Sequence, residues 1–356
     1  MTNLSRRDFA AISLSTFFAG RVQSVVPHIR SDHRADLVIR PFTPDDAEAV
    51  GRLVDAQYLN DADRASSLYA INQDLHLPTG RSSDWRATLV ADQDGTVIGV
   101  GSSRSLPMSR HARTHVLIAA SHRRQGIGTR LYRDVASLVR ARGGTPVASI
   151  AAREALAFRF ASSCGMQPLM RSRQLTVDLS SWAVDLWCRH AMRQPSPYTL
   201  VPSAHVTPEV FFGALGAAYH YMHERWSDIR TETPAQYRAT WSGRVSESSG
   251  VVALDGERAV GVGNYFANAA VEGGVVVFPT GVCSALPSLD HERALTARLL
   301  GDRLLAARTA GKREAILEFD DDDGRLLSVI ASIPVTSINE SFTLTAGPTS
   351  HWPSRP

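Results

Sequence analysis

Residues 115–129 read His115-Val116-Leu117-Ile118-Ala119-Ala120-Ser121-His122-Arg123-Arg124-Gln125-Gly126-Ile127-Gly128-Thr129. The first six form a short, nearly continuous apolar run suited to a buried strand. Two glycines then break a basic turn, and a helical pattern follows. Ile127, Leu131, Val135, Leu138 and Val139 recur at helical spacing, with Arg130, Arg133, Asp134 and Arg140 on the other face. A strand feeding a glycine turn and a helix leaves the first helical N–H groups unpaired at the positive end of the dipole. Gly126 and Gly128 carry no side chains to keep a diphosphate from those donors, and Arg123, Arg124 and Arg130 add positive charge. The spacing lacks the third glycine of a dinucleotide fingerprint and the Lys-Ser/Thr of a P-loop.

Outward from this stretch, Gly143-Gly144 marks a helix stop and Pro146–Ile150 a second strand. Arg153–Ser163 is a second helix, ended by Gly165, and Arg173–Leu179 a further strand. The plan recurs 168 residues later, with Val275–Phe278 as strand, Asp290–Ala310 as helix, Gly311 as stop and Ala315–Phe319 as the next strand. Without gaps, Arg130, Leu131, Asp134, Arg140 and Gly143 meet Arg298, Leu299, Asp302, Arg308 and Gly311. Upstream, Val97-Ile98-Gly99-Val100-Gly101 meets Ala259-Val260-Gly261-Val262-Gly263 at a shift of 162. Each follows a hairpin turn, Asp94-Gly95 or Asp255-Gly256. Two independent matches at nearly equal offsets point to duplication, and Pro195 and Pro197 punctuate the chain between the copies.

Arg123-x-x-Gly126-x-Gly128, after an apolar strand and opening an amphipathic helix, resembles the acyl-CoA signature of the GNAT acetyltransferase superfamily. Arg40-Pro41 followed by Asp45-Asp46, the Asp94–Gly99 hairpin and Glu154–Gly165 resemble other parts of that family. Residues 198–346 resemble it more weakly, in a tandem, mycothiol synthase-like arrangement. The resemblance implies an α/β (α+β) fold of two tandem GNAT-like domains, each a mixed, splayed β-sheet flanked by helices. The domains expected are 35–185 and 198–346, joined by a linker at 186–197, after a leader at 1–34 and before a tail at 347–356. Acetyl-CoA or another acyl-CoA is the implied co-substrate, with its pantetheine arm in the gap between splayed strands. By the same resemblance, Leu117–Ala119 or Ile118–Ala120 contact pantetheine. Arg123, Arg124, Gln125, Gly126, Ile127, Gly128 and Thr129 surround the diphosphate.

The two copies differ. His291, Arg293, Ala294 and Thr296 stand where the first has Arg123, Gln125, Gly126 and Gly128, and Glu292 puts negative charge in the turn. Only the first half is therefore expected to bind acyl-CoA, leaving the second as scaffold, acceptor-site wall or dimer surface. Aligning Phe160–Met166 with the family's later helix puts Ala161 where many members carry a tyrosine that protonates the leaving thiolate. Water, Ser162, Ser163 or another element then takes that part, or the thiolate leaves unassisted. His115 is the candidate base that keeps the acceptor amine neutral, with His111 and His122 as alternatives. The expected reaction is N-acyl transfer, in particular N-acetyl transfer, to a small-molecule amine, with strand N–H groups stabilising the oxyanion. A non-catalytic acyl-CoA sensor, and hydrolysis or O-acylation on the same fold, are the alternatives.

Composition agrees with a globular chain of about two domains: 356 residues, 44% hydrophobic and 21% charged. Residues 1–34, with five Arg and two Asp, hold the whole net charge of +3. The neutral remainder has no aromatic-basic patch, which weighs against nucleic-acid partners. Ser5-Arg6-Arg7-Asp8-Phe9 before Ala10–Gly20 resembles a twin-arginine export signal; a disordered tail is the other reading, and acyl-CoA dependence favours the cytoplasm. No run reaches the roughly 20 apolar residues of a membrane helix. Cys164, Cys188 and Cys283 lack the spacing of a disulfide framework or a cysteine zinc site. Cys164, beside Gly165, reads as packing near a helix end. His220-x-x-His223-Glu224 is not the zinc pattern HExxH, and Asp320–Gly324 lacks the twelfth-position carboxylate of an EF-hand, so no metal is expected. These two segments read as a helix bordering the acceptor site and a solvated acidic turn. A homodimer is compatible with all of this.

Overall fold

The computed structural model describes residues 37–56, 85–106, 108–151, 154–224, 226–227, 229–241, 245, 249–267, 273–320 and 324–346. The leader and tail expected from sequence lie outside them. The described residues up to Leu169 and from Ser341 onward make one compact unit, and Met170–Glu340 make another. The sequence reading placed the division at 186–197. The compact units instead change at 169/170 and again at 340/341.

The first unit contains β1 (Leu37–Pro41), α1 (Ala47–Asp55), β2 (Arg86–Gln93), β3 (Thr96–Ser105), β4 (His111–Ile118), α2 (Ile127–Ala141), β5 (Thr145–Ala151) and α3 (Ala155–Ser163). β1 to β4 pair antiparallel in order, while β4 and β5 are parallel, so the sheet is mixed. Asp94 and Gly95 have φ of 53° and 79°, the left-handed pair that a two-residue hairpin needs. β4 begins four residues earlier than its apolar run, because Ala112 and Thr114 are buried too while Arg113 is paired with Arg104 across the ladder. The strand beyond β5 comes from the far end of the chain, with Ser341–Thr345 antiparallel to it and Ser341 opposite Ala151. That pairing is why residues 341–346 fall in the first unit.

Two layers of helix cover this sheet. Val50, Leu53 and Val54 of α1 pack on Val90, Val100 and Leu117. On the opposite face Ile127 and Leu131 of α2 meet Ala91, Ile98 and Ile118. Each such side chain, buried, contributes about 1.5–3 kcal/mol. Gly101 permits the close approach of α2, since a Cβ there would lie 2.8 Å from Leu131 Cγ.

The second unit holds β6 (Gln167–Asp178) from Met170 onward, α4 (Trp182–Met192), β7 (Thr199–Pro202), α5 (Pro208–His223) and α6 (Pro234–Trp241). β8 (Val251–Asp255), β9 (Arg258–Gly263), β10 (Phe266–Ala267), β11 (Gly274–Val277) and β12 (Thr280–Val282) follow. α7 (Leu289–Thr309), β13 (Glu314–Asp320), α8 (Gly324–Ile330) and the start of β14 (Ser337–Thr345) come last. β11 pairs parallel with β13, whereas β12, three residues on, pairs with β9. The chain therefore leaves one neighbour for the other at Phe278–Pro279, and this copy splays as well. Gly261 in β9 also lets its helix come close, with a Cβ position 3.0 Å from Leu299, although its aligned counterpart is Gly99 and not Gly101. Leu299 is the counterpart of Leu131, so in both units this helix leucine packs on a glycine of the adjacent strand, two residues apart in the alignment.

Candidate functional site: a gap between parallel strands

β4 and β5 stay paired only from His111 opposite Thr145 to Arg113 opposite Val147. Past that point β4 remains with β3 up to Ile118, and β5 turns to Ser341–Thr345. The two strands part, and a cavity of about 630 Å³ opens along the parting. Thr114–Ile118 form one wall and Ala148–Ile150 the other.

Backbone alternation decides what the gap offers. Ala119 N donates to Ile98 O at 2.9 Å, so Ala119, Leu117 and His115 direct their backbone groups at β3. Thr114, Val116 and Ile118 direct theirs the other way; Thr114 still meets β5 at the Arg113–Val147 pair, and beyond it β5 does not take Val116 or Ile118. The gap edge is therefore Val116 and Ile118. Val116 was missed in the sequence reading; the alternation that exposes it needs the register with β3. Leu117 lines the cavity while its side chain joins the α1 core.

At the mouth lies the predicted loop. Ala120–His122 make one 3₁₀ turn, Arg124 has φ +64°, and Gly126 has φ +81° as N-cap of α2. The first helical bond runs from Arg130 N to Gly126 O, so the N–H groups of Ile127, Gly128 and Thr129 stand outside the ladder. A Cβ on Gly126 would meet nothing within 4 Å, and Gly126, Gly128 and Thr129 line the cavity mouth. Gly128 has another reason: its Cβ would come 3.3 Å from the Phe160 ring and 3.4 Å from Ile118. Arg123 Nε donates to Ile118 O at 3.2 Å, and burial lowers its pKa.

Of the predicted residues, His115, Leu117, Ile118, Arg123, Arg124, Gly126, Gly128 and Thr129 line the cavity. The others are placed differently. Ala119 and Ala120 form the turn after β4, and Ile127 is buried under the sheet. Gln125 is exposed, its Nε2 donating to Ser121 O at 3.3 Å. Cavity residues unread in the sequence include Tyr132 and the β5 wall, whose apolar run carries no ligand signal.

His115 is driven by burial, and then by Arg113 and Arg104, down to a pKa of about 3. It is a neutral imidazole near pH 7, able to accept a hydrogen bond but poor at keeping a proton. Among the alternatives, His122 Nδ1 lies 2.9 Å from Ser121 Oγ, and His111 is buried. Ala161 is buried in the α3 face of the cavity. Burial raises the Cys164 thiol, so it is not poised as a nucleophile.

The second unit is built otherwise at the matching place. α7 starts at Leu289, so the segment corresponding to the loop is already helical. Ser288 caps it by accepting from His291 N at 3.3 Å. Glu292 is buried, and its carboxylate accepts the Leu286 N–H at 3.0 Å. A side-chain anion thus occupies the backbone donor that precedes the helix.

The imidazoles of α5 do not converge. His220 faces Glu224 at 3.6 Å, whereas His223 Nδ1 donates to Tyr219 O at 2.7 Å and Nε2 lies 3.8 Å from Asp320. Asp320 departs from the solvated turn expected of it. It is the last residue of β13, buried, and accepts from Trp226 Nε1 at 2.6 Å and Ser172 Oγ at 3.2 Å. Asp321–Asp323 lie outside the described residues. Among the described residues no three His, Cys, Asp or Glu side chains gather as a metal site, and no helix is long and apolar enough to cross a membrane.

Residues 53–166 match the model of the acetyltransferase (GNAT) family. Among curated proteins no sequence matches the chain. A GCN5-related N-acetyltransferase from Sphaerobacter thermophilus superposes with a TM-score of 0.58 at 17% identity, over 88% of this chain and 96% of that one. A tandem GNAT protein from the clavulanic acid biosynthesis pathway gives 0.53 at 16%, over 88% and 99%. A GCN5-related N-acetyltransferase from Kribbella flavida gives 0.51 at 15%, over 89% and 72%. Residues 53–166 thus match the acetyltransferase (GNAT) family model, and the chain has the tandem GNAT fold.

Proposed function

We propose that the protein is an acyl-CoA-dependent N-acyltransferase that moves an acetyl group from acetyl-CoA to a small-molecule amine in the cytoplasm, with its active site in the first unit. The observation that carries this reading is the parting of β4 from β5 beside a helix N-terminus whose first residues line the same cavity. Those features fit the substrate: an extended amide-bearing arm can pair with Val116 and Ile118, and a diphosphate can accept from residues 127–129. Arg123 and Arg124 add charge at the same mouth. The helical start of α7 and the buried Glu292 support assigning no such site to the second unit.

In this reading the chain binds and aligns the reactants, which supplies much of the acceleration. Backbone N–H groups on the gap edge stabilise the oxyanion. His115, neutral above about pH 4, orients the amine by accepting a hydrogen bond. Ala161 favours a second reading, an acyl-CoA-binding protein without turnover.

Calorimetry with CoA, followed by thiol release from acetyl-CoA across an amine panel, separates these. Amine-dependent release supports the transferase. Binding without release on any amine supports the sensor, release without amine indicates hydrolysis, and absence of binding overturns both main readings.

A further inference from the structure

Across β2, β3 and β4 the register sets Arg86 opposite Arg104 and Arg104 opposite Arg113. Directly opposed residues share a face of the sheet, so the three guanidiniums leave it side by side. Two residues along the strands, about 7 Å away, the next row on that face is Thr88, Ser102 and His115. The row after it, Val90, Val100 and Leu117, packs under α1. Ser102 and His115 line the cavity, as does Ser149, two residues beyond the Val147 that opposes Arg113. The arginine row therefore adjoins the inner end of the gap, where β4 and β5 begin to part. About 17 Å of strand separates Arg113 from Ile118 at the mouth.

Like charges directly opposed across a sheet repel, so pairing within the sheet gives no reason for three in a row. Arg86 Nη1, Thr88 Oγ1 and Ser102 Oγ are buried with no hydrogen-bond partner among the described residues, and Ser102 is 1% exposed. A guanidinium only donates and a hydroxyl can donate, so all three fit a group that only accepts. A carboxylate or phosphate is such a group, and the planar fork of arginine matches it. The field of the row reaches the cavity: after burial, Arg113 and then Arg104 hold the His115 imidazole at about 3. The coenzyme diphosphate does not account for this charge, because the loop that suits it lies at the other end of β4.

We propose that the acceptor is an amine that itself carries an oxyanion, a carboxylate or a phosphate, and that Arg86, Arg104 and Arg113 hold this anion with Thr88 and Ser102. The inference rests on the transferase reading above. An arm that pairs with Ile118 and then Val116 directs its acyl end toward Thr114 and His115, the row next to the arginines. An amine anchored there by its anion stands where His115 accepts its N–H. A neutral amine leaves the three cations facing one another, and the site rejects it for that reason.

The test uses the full chain at saturating acetyl-CoA and reads thiol release with matched amines: amino acids against their amides, and 2-aminoethyl phosphate against ethanolamine. The anionic member of a pair should have a kcat/KM about tenfold or more above its neutral partner, and the pair with the larger ratio distinguishes carboxylate from phosphate. Arg86→Gln should cut that preference about tenfold through KM, with CoA affinity by calorimetry within about twofold, and Arg86→Lys should recover part of it. Ser102→Ala, which keeps every charge, should raise the KM of the anionic amine about threefold and serves if Arg86→Gln does not fold. Turnover that is as good on neutral amines, or a preference unchanged in these variants, overturns the anion site and leaves the transferase reading intact. Bound CoA without release on any amine overturns the anionic acceptor and favours the sensor. If CoA does not bind, the transferase reading fails and takes this one with it.

Discussion

Arg123 Nε and the Ile118 carbonyl oxygen, 3.2 Å apart, tie the loop back to the last residue of β4. That carbonyl faces the gap, so the bond fixes a guanidinium at its mouth. Arg123→Gln removes the charge and the planar fork. CoA affinity should fall about tenfold by calorimetry, equivalent to about 1.4 kcal/mol, with the far-ultraviolet circular dichroism unchanged.

The two loop glycines should fail differently. Gly126→Ala meets no atom but must hold φ +81°, which costs about 1–2 kcal/mol in chemical denaturation. Gly126→Glu adds a carboxylate before the helix N-terminus and should weaken CoA binding more than tenfold. Gly128→Ala presses on Phe160, and Phe160→Leu in the same chain should restore part of the lost stability.

His115 predicts a pH profile. With its pKa near 3, the imidazole is neutral throughout pH 5–9, so kcat/KM should show no limb from it in that range. His115→Gln should lower the rate without moving any limb near neutrality. A limb near pH 6.5 that disappears in this variant would restore His115 as a titrating base.

Arg40 grips Asp46 through two bonds of 2.8 Å and also reaches Asp92 at 2.8 Å, fastening α1 to β1 and β2. The Arg40 guanidinium, with help from Thr43, holds the Asp46 carboxyl at about 2. Since that is below its unfolded value of about 3.9, the contribution is present above pH 4 and lost as pH falls toward 2. Asp46→Asn should cost about 1–2 kcal/mol at pH 7, Arg40 being partly exposed, and almost nothing near pH 2. Urea denaturation at the two pH values checks it.

The second unit should bind no CoA. Calorimetry should give one site per chain, unchanged by Glu292→Ala. That substitution should destabilise the protein by about 1–3 kcal/mol, because the Leu286 N–H loses its acceptor. A second CoA site in the variant would show that Glu292 merely blocks a competent loop.

The strand–turn–helix at 115–141, its turn glycines and its distant repeat were legible in the chain itself, because periodicity and backbone freedom are properties of near neighbours. Side-chain differences at 292, 294 and 296 likewise announced an altered second loop. Folding alone decided that β4 and β5 part after Arg113, that Ser341–Thr345 pair with β5, and that Val116 rather than Leu117 turns its backbone to the gap. It also decided that His115 is held neutral and that the Tyr132 hydroxyl is buried in the wall. A period of two tells which side chains share a face, but not which strand lies alongside. Desolvation, too, is set by groups far away along the chain, and no local pattern records them.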